Sequence, residues 1–409
     1  MNILGFSLIY RLTDRFDFSP GQIGVFIAIG QVFYFIGCHL YSKFGSVFEP
    51  IKIFPSAVCI VFFASLLVSW INFRPVIYGA YWVLMIGAGL YWPPVMAWLT
   101  AGLSGKDLNR QIGSFNRSWM GAIILGPLIA GALYKWNSNV NFLILNASYF
   151  TALSSLFMLK HYSKKTGQSL NEKPHPDDVT IGSVSTAEVG AVSGTPINAA
   201  ADRAGNAGSR PKHSRQSMEL DKKLDMYRYK SWINGFCSTF FLGIFGNIIP
   251  LHIRDTLGFT ERSAGIMLFM RSGTSFLGFT ILANFTIWHF NKRWFSILQF
   301  ALLFCSLCLL TTGNNLTIFY CIAVIAGLAS SGCYNNSIFY SGTTGKNPKK
   351  NLALHEIFMA IGGAAGSSSG GFIYQHFRLP GISIMMAMIL LLGAGSIAWM
   401  DKKSGAKTI

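Results

Sequence analysis

Ser114–Trp136 reads SFNRSWMGAIILGPLIAGALYKW, an apolar run of helix length. It carries Gly121, Gly126-Pro127, Gly131 and Tyr134, with Asn116 and Arg117 near its start. At an offset of 240 residues, Leu354–Phe377 reads LHEIFMAIGGAAGSSSGGFIYQHF, and Gly366, Gly371 and Tyr374 stand at the places of Gly126, Gly131 and Tyr134. The preceding segments repeat too: Gly87, Gly102 and Gly105-Lys106 fall on Gly327, Gly342 and Gly345-Lys346. Near the front, Asp14, Phe18 and Gly24 fall on Asp255, Phe259 and Gly265, one residue further apart. Three regions sharing one offset mean that the chain holds two copies of one half.

Composition sets the solvent. Of 409 residues, 51% are hydrophobic, 14% aromatic and only 12% charged, with a mean hydropathy of +0.42. Soluble domains carry about 25% charged residues, so this is a polytopic membrane protein. The net charge of +17 does not point to nucleic acid, because the basic residues sit between apolar segments, as insertion orientation requires. All seven cysteines lie inside apolar segments, and even Cys305-x-x-Cys308 reads as packing. Neither a disulfide framework nor a zinc site is legible. The apolar front lacks the basic start and cleavage site of a secretory signal.

A spanning helix needs about 20 apolar residues. Full spans are predicted near 21–41, 52–72, 77–102, 112–134, 140–160, 231–252, 263–287, 294–312, 317–341, 353–375 and 381–400. A truncated twelfth, Met1 to about Tyr10, opens the chain ahead of the polar LTDRFDFSPGQ. The expected architecture is all-α: a six-helix bundle over 1–160 with helix 1 incomplete, a disordered cytoplasmic linker over 161–229, a second six-helix bundle over 230–402 and a tail over 403–409. Within the linker, Ser217–Lys230 reads as an amphipathic surface helix. Putting the even-numbered loops and the C-terminus in the cytoplasm gives that side 24 of the 33 basic residues. A cell (inner) membrane location with a cytoplasmic C-terminus is therefore expected.

Twelve spans in two copies, joined by a long basic loop, resemble the major facilitator superfamily. Two motifs add to the likeness. Cys38-His39-Leu40-Tyr41-Ser42-Lys43-Phe44-Gly45 is similar to the family's G-x-L-A-D-R-x-G, with Ser42 in place of the aspartate and Cys38 in place of the first glycine. Gly121-x4-Gly126-Pro127-x3-Gly131 is similar to the glycine-proline motif of the family's exporters, with the last glycine one position late. The resemblance implies a fold of two bundles with pseudo-two-fold symmetry and a transporter working by alternating access, not an enzyme. In physical terms, small residues let helix backbones approach closely, and Pro127 can bend its helix.

Ionisable groups inside spans are costly and functional by default. Arg271 lies about nine residues into its span, near mid-depth, where it can pair with an anionic solute group. Arg117 is shallower, and the resemblance sets its span beside that of Arg271, so both are expected to line one positive cavity. His355 and Glu356 take the repeat positions of Phe115 and Asn116, at the start of a span predicted from 353. The resemblance pairs that span with the second one, implying a latch from Glu356 to Lys43. By the same resemblance the fourth, seventh and tenth spans line the cavity, offering Tyr91, Trp92, Asn234, Asn247, Tyr334, Asn335 and Asn336; Asn116 joins them from the fifth. Pro93-Pro94 mark an expected bend or break.

Arg271 leans the reading towards an organic anion or zwitterion as solute, and with no Asp or Glu placed near mid-depth a proton-driven exporter of cations is disfavoured. Efflux of amphipathic compounds and a non-transporting sensor or scaffold are the alternatives. No P-loop, H-E-x-x-H or G-x-S-x-G occurs, so no cofactor is expected. The expected partners are a small solute, the bilayer and a proton or other coupling ion.

Overall fold

Buried backbone polar groups find no water in a bilayer, so a chain this apolar must satisfy them within helices. The computed structural model describes residues 2–44, 50–100, 105–134, 138–166, 215–343 and 348–405, and all regular structure among them is helical. The elements of the first half are α1 (Asn2–Phe16), α2 (Pro20–Phe44), α3 (Pro50–Trp70), α4 (Arg74–Thr100), α5 (Gly105–Tyr134) and α6 (Ser138–Thr166). The second half holds α7 (Arg215–Asn247), the short α8 (Ile249–Leu251) running into a π-turn over His252–Thr256, α9 (Glu261–Asn284), α10 (Lys292–Cys308), α11 (Leu316–Thr343) and α12 (Pro348–Gly405).

Ten described helices are long and apolar enough to cross a membrane. The last contains two membrane lengths, because α12 breaks at Arg378, whose φ of 51° is not helical. Eleven membrane-length segments result, as the hydropathy predicts. With 15 residues, α1 reaches about 22 Å, short of a hydrocarbon core of about 30 Å. It runs on to Phe16, past the expected end at Tyr10, because Arg11 is buried and donates to Val68 O (2.7 Å), Ser69 O (3.0 Å) and Asn72 Oδ1 (2.5 Å). That guanidinium satisfies carbonyls at the C-terminal end of α3, which a cation there also suits electrostatically.

Three further expectations change. The amphipathic stretch Ser217–Lys230 is no separate surface helix; it is continuous with the span that follows, inside α7. Pro93 and Pro94 lie within α4 without ending it. The tenth loop is shorter than predicted, since α12 starts at Pro348 rather than 353. The rest of the linker, 167–214, lies outside the described residues.

Large apolar side chains such as Phe63, Phe150, Met158, Phe300 and Leu392 are exposed, which suits a lipid-facing surface. The buried core is shared by both halves, joining Tyr10, Tyr34 and Leu84 to Phe241, Ile248 and Met386. Two glycine crossings draw the halves together. At the α2–α12 crossing, a Cβ on Gly24 would run into the Ser367 carbonyl and stand 3.3 Å from Gly371 Cα. At the α5–α9 crossing, a Cβ on Gly265 would stand 2.6 Å from the Pro127 carbonyl and 3.3 Å from Gly131 Cα. Gly24 and Gly265 are repeat partners, as are Gly131 and Gly371, and Pro127 and Ser367.

Candidate functional site

Between the halves lies a cavity of about 380 Å³. The first half walls it with Gln31 and Tyr34 (α2), Met85 and Trp92 (α4), and Trp119 and Ile123 (α5). The second half contributes Thr239 to Asn247 on α7, Tyr334 on α11, and Glu356 to Ser367 on α12. Glu356 and Ser367 are eleven residues apart, so the cavity extends about 16 Å along α12.

Glu356 is the ionisable centre. Because α12 begins at Pro348, this carboxyl lies about 12 Å into its helix, not in the first turn. It is 6% exposed. Tyr34 Oη donates to its Oε2 at 2.6 Å and Tyr334 Oη to its Oε1 at 3.4 Å. One O–H donor is aimed at each carboxyl oxygen. His355 Nε2 stands 3.6 Å from Glu356 Oε1, beyond a hydrogen bond, while its Nδ1 lies 2.7 Å from Ser337 Oγ. The carboxyl expected in the first turn of its helix is thus in the cavity wall.

Aromatic rings surround this end of the cavity. Trp119 lies 5.8 Å from Trp92 and 5.7 Å from Tyr334, ring to ring. Its indole N–H donates to Asn116 Oδ1 at 3.1 Å, and Asn116 Nδ2 donates to Asn335 Oδ1 at 3.3 Å. Asn116 and Asn335, expected to line the cavity, instead sit behind it and fix the Trp119 ring. Asn336 is fully buried with neither amide atom hydrogen-bonded. Of the expected lining residues, Trp92, Asn247 and Tyr334 do line the cavity. Asn247 Nδ2 donates to Gly243 O and Ser367 Oγ, both at 2.9 Å, which leaves its Oδ1 as an acceptor.

The arginines are elsewhere. Neither Arg271 nor Arg117 is among the residues walling the cavity, so the expected positive chamber does not form. Arg271 packs where α11 crosses α9: a Cβ on Gly327 would run into its carbonyl. Its Nη2 reaches Ser272 Oγ at 3.4 Å, and its Nε is buried without a hydrogen bond. Sequence periodicity does not choose which face of α9 Arg271 takes.

The Lys43–Glu356 latch is also absent from this conformation. Lys43 is exposed at the end of α2, its Nζ 5.4 Å over the Phe44 ring. Glu356 meets Tyr34 instead, nine residues earlier on the same helix. Gly45 lies outside the described residues. Gly126, Pro127 and Gly131 are all buried, and the last two form the α5–α9 crossing.

Sequence reasoning missed the cluster at the Asp14 end of the molecule. Arg254 Nη1 is 2.9 Å from Asp14 Oδ1 and its Nε 2.5 Å from Asp255 Oδ1, with Glu261 at 3.9 Å. Tyr134 Oη donates to Asp14 Oδ2 at 2.9 Å, and the Arg254 guanidinium lies 4.4 Å over the Tyr10 ring. This clasp ties α1 and α5 to the turn before α9. The signal was present: Asp14 and Asp255 are repeat partners, and an arginine precedes only the second.

The sequence profile described as Major Facilitator Superfamily matches residues 1–210 and 231–408. No curated protein matches the chain. Among solved structures it is similar to the human organic anion transporter MFSD10 (TETRAN), with a TM-score of 0.59, 12% identity, and coverage of 91% of this chain and 83% of that one. At that identity the likeness speaks for the fold.

Proposed function

The chain belongs to the Major Facilitator Superfamily, a family of membrane transporters, and we propose that it carries a small organic solute by alternating access through the cavity between its halves. One observation carries the reading: residues of both halves wall a cavity holding an acidic side chain, Glu356. A site at the seam changes its exposure when the halves rock. The glycine crossings and the Arg254 clasp are the contacts such rocking would open and close.

A carboxyl that can be neutral or charged inside the seam suits a proton as the coupling ion. The bias of basic residues supports a cytoplasmic C-terminus in a cell membrane. The expectation of an organic anion rested on Arg271 lining the cavity; with that arginine elsewhere, the support for it falls away. The similar human structure is named for organic anions, but 12% identity does not carry a substrate class across.

The test is counterflow of labelled solute into proteoliposomes, using the best ligand from thermal-shift screening of organic amines, zwitterions, organic anions and sugars. Accumulation inside vesicles preloaded with unlabelled solute is the expected result. A ligand that binds but never exchanges would instead favour a sensor or scaffold.

A further inference from the structure

We propose that the solute is held through a protonated amine, whose ammonium seats on the Glu356 carboxylate while its apolar body lies against Trp92 and Trp119. This rests on the reading that the cavity is the solute site, and names the class of solute. Among the described residues, the cavity walls carry a carboxylate and no lysine or arginine. A carboxylate away from water needs a partner of opposite charge or a proton. The groups facing Glu356 supply no cation of fixed charge: Tyr34 and Cys38 from α2, Tyr334 from α11, and His355 from its own helix.

The two phenols hold the carboxylate by one hydrogen bond per oxygen, and each oxygen keeps a further acceptor site for an ammonium N–H. Tryptophan faces attract cations, best when desolvated, and Trp92 and Trp119 stand at this same end of the cavity. Asn247 Oδ1, further along, is a second acceptor. The carboxylate, the free Asn247 oxygen and the tryptophan faces therefore favour a cationic donor over an anion.

The experiment uses the purified full chain in detergent and four probes of one shape: 2-phenylethylamine, 2-phenylethanol, phenylacetate and phenylalanine. Binding is read by thermal shift and tryptophan fluorescence. The amine is expected to bind best, and Glu356→Gln to weaken it roughly ten- to a hundredfold while leaving any binding of the alcohol unchanged. Arg271→Gln should leave amine binding intact. Phenylalanine matching the amine and losing affinity equally in Glu356→Gln supports the same ammonium site in a zwitterion.

Tighter binding of phenylacetate, amine binding unchanged in Glu356→Gln, or no binding of the amine at millimolar concentration overturns the proposal. Should Glu356→Gln not fold, the wild-type pH dependence decides. Amine affinity is expected to fall on acidification, as proton and ammonium compete for the carboxylate, and an affinity that does not change with pH counts against it. Failure of the amine with success of another probe leaves the transporter reading standing. Binding of the amine without counterflow sinks the transporter reading but leaves the site.

Discussion

Arg254 and Asp14 belong to opposite halves of the chain, yet guanidinium Nη1 and carboxylate Oδ1 stand 2.9 Å apart. Tyr134 holds the other oxygen of Asp14, so the pair is part of a network and not an isolated surface bridge. Networks of this kind contribute more than exposed pairs, whose worth is about 0–1 kcal/mol. Asp14→Asn is expected to lower unfolding stability by about 1 kcal/mol and to speed hydrogen exchange over residues 249–262. A charge swap, Asp14→Arg with Arg254→Asp, should not restore either, because the new aspartate would face Asp255 and Glu261. Full rescue by the swap would show that the pair acts alone.

The glycine crossings give a second prediction. Valine at Gly265 must displace the Pro127 carbonyl, and valine at Gly24 the Ser367 carbonyl. Overpacking of this sort costs about 1–3 kcal/mol, and here it acts only on conformations with the crossing closed. Each variant should therefore be less stable and label faster with a thiol reagent at a cysteine placed near Asp14. Wild-type labelling would mean that the crossings tolerate widening.

Lys230 is fully buried and paired with Asp401, which is 28% exposed at its side chain. Removing one partner of a buried pair strands the other charge, at a cost of about 3–5 kcal/mol. Asp401→Asn is expected near the lower end of that range by thermal unfolding, given the aspartate's access to water. The double change Lys230→Met with Asp401→Leu should recover most of it. A double variant as unstable as the single one would contradict this account.

His289, in the turn between α9 and α10, stacks on Phe339 with ring centres 4.2 Å apart, and its Nε2 is buried without a hydrogen bond. Burial disfavours the charged ring and lowers its pKa to about 4. An unfolded histidine titrates near 6.5, so between about 6.5 and 4 the unfolded chain binds more protons. Stability is thus expected to fall as pH drops through that window. His289→Phe should flatten that part of the profile, and an unaltered slope would show that other groups set it.

Much of this architecture was legible in advance, for a simple reason. Hydropathy reports which segments must avoid water, and repetition at one offset reports that two sets of helices pack alike. The eleven membrane-length segments and the glycines at the crossings follow from those two signals. The site was less legible. Glu356 was misjudged because its helix was begun at 353, although Asn347-Pro348 is a good start signal, proline being favoured in a first helical turn. Five residues of helix moved a carboxyl from the rim to the cavity. Arg271 failed differently: helices in lipid are apolar all round, so periodicity does not say which neighbour a side chain faces. Asn116 and Asn335 are polar because they orient Trp119, a role one step removed from the solute.

Each crossing takes one glycine from each half, and the two crossings use the same two repeat positions. A chain with a single copy would carry both on one subunit, as Gly24 and Gly131 lie together in the first half. Two such subunits facing each other would form both crossings at once, residue 24 of each against residue 131 of the other, which is the self-complementary contact of a two-fold homodimer. The two halves differ beside those glycines, with proline in one and serine in the other, and again at Glu356, where the first half has Asn116.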